Sequence, residues 1–71
     1  MDPWLEKTVG ALGGELELSA ADERALLELA KVAAHTSGAR TNAPLACYLV
    51  GRLQGGRSVA EAVEDVLRST S

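Results

Sequence analysis

A chain of 71 residues, 46% apolar and 24% charged, has room for one small globular domain and nothing larger. A single Cys excludes a disulfide scaffold. The longest apolar run, Ala43 to Gly51, is about half of the roughly 18 residues that a membrane span needs.

The first helix is predicted over about residues 3–12. Asp2 is a good N-cap and Pro3 suits the first helical position. Trp4, Leu5, Thr8, Val9 and Leu12 then fall at helical spacing, and Gly13-Gly14 stops the run. Trp4 is the largest apolar group in the chain, so it is expected in the core rather than as an exposed anchor. Glu15-Leu16-Glu17-Leu18 alternates like a strand but has no partner run. It reads as an extended linker whose leucines dock on the core.

Ser19 opens the second helix, expected over 20–35. Asp22 stands where Glu or Gln completes the usual reciprocal cap, so the box is a weakened one. Arg24, Glu28, Lys31 and His35 form one polar stripe. The rest of the helix is Leu, Val and Ala, which marks it as central. Thr36-Ser37-Gly38 ends it. The third helix is expected over 44–53, capped by Asn42 or Ala43 with Pro44 in its first turn. Leu45, Ala46, Cys47, Tyr48, Leu49, Val50 and Leu53 make it apolar almost all round. One small chain cannot bury such a helix on several sides, so self-association through Leu45, Tyr48, Leu49 and Leu53 is expected to supply the cover. Gln54-Gly55-Gly56 breaks this helix. Ser58 and Glu61 form a full capping box for the fourth, expected over 59–68, with Ser69-Thr70-Ser71 fraying. The fold class is therefore all-α: a compact four-helix domain with short loops and neighbouring helices antiparallel, completed by dimerisation.

Charge is unevenly spread. Residues 1–38 hold seven acids against three bases, and residues 39–71 hold three acids against four. No acid occurs between Glu28 and Glu61, a stretch containing Lys31, His35, Arg40, Arg52 and Arg57. His35, Arg40, Arg52, Arg57 and Ser58 are therefore the candidate contacts for a ligand or partner. Gly51 to Ser58 matches a phosphate-loop spacing with Arg57 in place of Lys. That loop requires a strand before it and a parallel sheet around it. The plain reading is a helix stop followed by a capped helix start. A weaker anion site would use the free N–H groups opening the fourth helix beside Arg57. His35 could pair with Glu28, flank an anion with Arg40, or cap its own helix. Cys47 reads as an inert core thiol. No nucleophile–base pair, metal-ligand spacing or cofactor motif is present, so neither an enzyme nor a metal or cofactor site is expected.

The order Asp2-Pro3-Trp4-Leu5, then Leu27-Glu28-Leu29-Ala30-Lys31-Val32-Ala33-Ala34-His35, Arg40, Ala43-Pro44-Leu45 and Tyr48-Leu49-Val50-Gly51 resembles a small bacterial domain family of unknown function. Its members occur alone or attached to the molybdenum-cofactor guanylyltransferase (molybdopterin-guanine dinucleotide biosynthesis protein A). The family pattern runs L-D-L-A-R-D-V-A-H, R-P-x-A-P-L, F-L-x-G. Here Thr41 stands where the pattern has Pro, and the acid before V-A-H is missing. The resemblance implies an all-helical fold and a place beside cofactor guanylylation, with no known activity.

The leading expectation is a non-catalytic accessory or protein-interaction module, homodimeric and cytoplasmic, with a guanylyltransferase as the implied partner. No basic and apolar leader pattern opens the chain. The alternative is a small anionic-ligand binder using the acid-free segment. A helix-turn-helix nucleic-acid binder ranks below both. Its reading helix would offer only Tyr48 and Arg52 to base edges, on a chain of net charge −3.

Overall fold

A computed structural model of the protein describes residues 1–70. They form four helices and no strand: α1 (Pro3–Ala11), α2 (Ala20–Ser37), α3 (Asn42–Leu53) and α4 (Val59–Thr70). The compact all-helical architecture agrees with the periodicity of the sequence.

Local chemistry sets most helix ends. The Trp4 amide donates to Asp2 Oδ1 at 2.7 Å, which caps α1. At α2 both bonds of the capping box form: the Asp22 amide donates to Ser19 Oγ at 3.1 Å, and the Ser19 amide to Asp22 Oδ2 at 3.4 Å. The shorter Asp side chain thus suffices, and the longer bond is the weakened half. Ser58 and Glu61 cap α4 in the same way, at 3.1 and 3.2 Å. Gly38 closes α2 with a left-handed φ of 73°.

Three boundaries depart from expectation by two residues. α2 runs two residues further, through Thr36 and Ser37, because their hydroxyls donate back to the carbonyls of Val32 and Ala33 at 2.9 and 2.6 Å. Of the three residues expected to fray, Ser69 and Thr70 stay helical for a similar reason, both donating to the Val66 carbonyl, and Ser71 lies outside the described residues. α3 begins at Asn42 rather than 44. Its N-cap is Thr41, which makes no side-chain cap bond, and a tight turn feeds it through Asn42 N–H to Ala39 O at 3.0 Å.

The core is three-helical. α2 packs on both α3 and α4, and α3 meets α4 more lightly. Leu29, Val50, Ala62 and Val63 are buried at the centre, ringed by half-buried Ala25, Leu26, Ala46, Cys47, Val59, Val66 and Leu67. The central place expected for α2 is observed, with Arg24, Glu28, Lys31 and His35 all exposed on its outer stripe. Leu27 joins that stripe at 71% exposure.

α1 corrects the expected picture. It packs against none of the other helices, so the antiparallel pairing of α1 with α2 does not occur. Trp4 is 70% exposed and not in the core, and Leu12 is exposed as well. The reason is geometric. Gly13 turns the chain out of the helix at φ 74°, and an extended stretch then separates α1 from α2. Of the two linker leucines, Leu18 is half-buried, while Leu16 stays largely in solvent.

Candidate functional site

The outward face of α3 is the most unusual surface of the molecule. Leu45, Leu49 and Leu53 are spaced four apart and so line one side of the helix. Tyr48 stands beside them. These four are 58, 55, 70 and 60% exposed in that order, although each is a large apolar group. Only Val50 of α3 is buried, with Ala46 and Cys47 half-buried against the core. As expected for so small a chain, this helix is not buried on several sides by its own chain. α2 and α4 cover one side and nothing covers the other. Arg52 sits over Tyr48, its guanidinium carbon 5.6 Å from the ring centroid and its Nη1 donating to the phenol oxygen at 2.6 Å. That pairing places a cation at the border of the stripe.

Beside the stripe, α3 and α4 enclose an open groove of about 350 Å³. Its lining includes Ala46, Leu49, Val50, Leu53, Ala62 and Val66, with Arg57 and Asp65 as its charged members. A second cleft, about 430 Å³, lies among the linker leucines, Leu26, Cys47 and Val59. Cys47 Sγ approaches the Leu26 carbonyl at 3.8 Å, and burial pushes the thiol above its ordinary pKa. Both observations fit an unreactive core thiol.

The basic candidates do not gather. Arg57 is spent on structure: Nε donates to Gln54 O at 3.0 Å, Nη2 to Leu53 O at 2.7 Å and Nη1 to Asp65 Oδ2 at 2.8 Å. It closes the last turn of α3 instead of facing the start of α4. Arg68 also donates to Asp65, on Oδ1. These two guanidinium hydrogen bonds hold the Asp65 carboxyl below its ordinary pKa. Ser58 is occupied by its capping box. The Gly51–Ser58 segment is thus a helix stop and a capped start, with helix before it where a phosphate loop needs a strand. His35 does not pair with Glu28, which instead lies 3.9 Å from Lys31. His35 and Arg40 are both exposed, one in the last turn of α2 and the other in the connector that follows. Arg52 points its charge at Tyr48. Among the described residues no group of His, Cys, Asp or Glu is arranged to hold a metal, and no helix is long and apolar enough to cross a membrane.

Two features escaped sequence reasoning. The Arg57–Asp65 link spans a turn at a separation that no helical periodicity flags. The exposure of α1 depends on which surface covers it, and periodicity shows only that a face exists.

The model of the family described as "Domain of unknown function (DUF6457)" matches residues 1–71, the whole chain, and the chain belongs to that family. No curated protein and no solved structure matches it.

Proposed function

We propose that this member of the family is a non-catalytic interaction module that self-associates through the outer face of α3. The observation that carries the reading is the solvent-facing run of Leu45, Tyr48, Leu49 and Leu53. A contiguous apolar stripe on so small a domain is a docking surface by the usual physics, because covering it releases ordered water at no polar cost. The border cation Arg52 and the acid-free stretch from residue 29 to 60 bias that surface toward an acidic counterpart. The resemblance carried by Leu27 to His35, Arg40 and Ala43-Pro44-Leu45 supports the molybdenum-cofactor guanylyltransferase as the outside partner of the cytoplasmic dimer.

Two measurements test this. Sedimentation of the full chain over a wide concentration range should show a dimer that Leu49→Glu converts to a folded monomer. Leu49 is half exposed, so the charge enters water rather than the core. A wild-type chain that remains monomeric at every concentration would overturn self-association. Titration calorimetry against purified guanylyltransferase should show binding that Arg40→Glu weakens several-fold. No heat with either protein would remove that partner.

The anion-binding alternative loses support from the geometry of Arg57, whose donors are already engaged. Nothing in the arrangement of Tyr48 and Arg52, which pair with each other, favours base reading.

A further inference from the structure

α1 is a nine-residue helix that packs against no other helix of its chain. Isolated helices shorter than about 12–15 residues are marginal in water, and tertiary packing of the apolar face supplies most helical stability. α1 has such a face: Trp4, Leu5 and Leu12 are exposed at helical spacing, with Trp4 at 70% and Leu12 at 81%. The same chain therefore carries two uncovered apolar surfaces, one on α1 and one on α3.

Their charges are complementary. α1 and the linker after it hold Asp2, Glu6, Glu15 and Glu17 against Lys7 alone. The stretch that contains α3 holds no acid and carries Arg40 just before that helix and Arg52 in its last turn. Leu12 and Gly13 turn the chain out of α1, and residues 14–19 that follow have no regular structure. Six residues of extended chain span up to about 20–22 Å, enough to project a helix onto a neighbour.

We infer that α1 is an exchanged arm: in the dimer, the apolar face of α1 from one copy lies on the Leu45–Leu49–Leu53 stripe of the other, and reciprocally. The inference rests on the self-association through α3 proposed above and names its occupant. Exchange covers both stripes of both copies in one closed, two-fold contact. A face-to-face pairing of two α3 helices would leave Trp4 in water.

Trp4 is the only Trp in the chain, so its emission reports the arm directly. The experiment follows the full-length protein by sedimentation and by Trp4 fluorescence over the same dilution series. Exchange predicts emission that moves to longer wavelength on dilution, with the midpoint of dimer dissociation. Leu49→Glu should show the long-wavelength spectrum at all concentrations. Trp4→Ala should weaken the dimer at least tenfold. It should leave the α2–α4 fold intact, because Trp4 touches none of that core. A dimer whose Trp4 emission is insensitive to dilution, and which Trp4→Ala leaves unweakened, overturns the arm while preserving self-association. A monomer with short-wavelength emission at every dilution also overturns it, and would place α1 on its own chain. A monomer with exposed Trp4 throughout overturns both readings together.

Discussion

Arg57 and Asp65, eight residues apart, meet at 2.8 Å across the turn that joins α3 to α4. The remaining guanidinium nitrogens hold the carbonyls of Leu53 and Gln54, so one side chain both ends α3 and fastens it to α4. Arg57→Ala should lower stability by about 1–2 kcal/mol, chiefly through the two carbonyls that lose a charged donor. Urea denaturation monitored by circular dichroism measures this. A loss within error would show that water replaces the guanidinium at no cost.

The Asp65 carboxyl is held below its ordinary pKa by Arg57 first and Arg68 second. A carboxyl depressed in the folded state adds stability above its unfolded pKa, near 3.9, and that stability fades as pH falls through the lower folded value. The wild-type urea midpoint should therefore drop more steeply below about pH 4 than that of Asp65→Asn. Above pH 5 the two curves should run parallel. Parallel curves below pH 4 as well would remove Asp65 from the acid response.

Leu29 is 1% exposed and Leu49 is 55% exposed, though both are leucines on packed helices. Leu29→Ala should cost about 2–5 kcal/mol, a large share of the roughly 4–10 kcal/mol expected for a domain of this size. Leu49→Ala should leave the thermal midpoint of the dissociated chain nearly unchanged and weaken association instead. Calorimetric scans at low and high protein concentration separate the two effects.

Glycine substitutions should divide by backbone geometry. A Cβ at Gly38 would meet nothing within 4 Å, but its φ of 73° strains any other L-residue. Gly38→Ala should lose about 1–2 kcal/mol. Gly10 lies inside α1 at ordinary φ with equally open space. Gly10→Ala should gain up to about 1 kcal/mol of helix propensity, visible as added helical ellipticity. A neutral Gly38→Ala would indicate that the α2 end relaxes without cost.

Three of the four helices were legible from a local signal at their start: Asp2-Pro3, Ser19 with Asp22, and Ser58 with Glu61; α3 was legible from its run of apolar residues. Boundaries failed where a side chain could serve two conformations. Thr36 and Ser37 read as a stop, yet their hydroxyls found carbonyls one turn back and carried α2 onward. The stripe on α3 was legible as an excess of apolar positions, and the structure shows which of them stay in water. The expected basic cluster was not realised, because charge along a sequence does not say where each guanidinium finds acceptors. Arg57 found three, on the last residue of α3, in its own turn and on α4. Trp4 was misplaced for a related reason: size favours burial only if a surface is within reach.

The cap chemistry also predicts an order of assembly for the core helices. α2 and α4 each carry a reciprocal cap made from residues three apart. α3 has no side-chain cap at its start and is closed at its end by Arg57, which lies beyond it. Helices with local closure can nucleate early, whereas α3 gains its closure only after the chain has turned toward α4. Ser19→Ala and Ser58→Ala should then slow refolding, while Arg57→Ala should chiefly speed unfolding. The helix that presents the apolar stripe would be the last of the three core helices to form. The newly made chain would thus expose its adhesive surface in final shape only once the rest of the fold is in place.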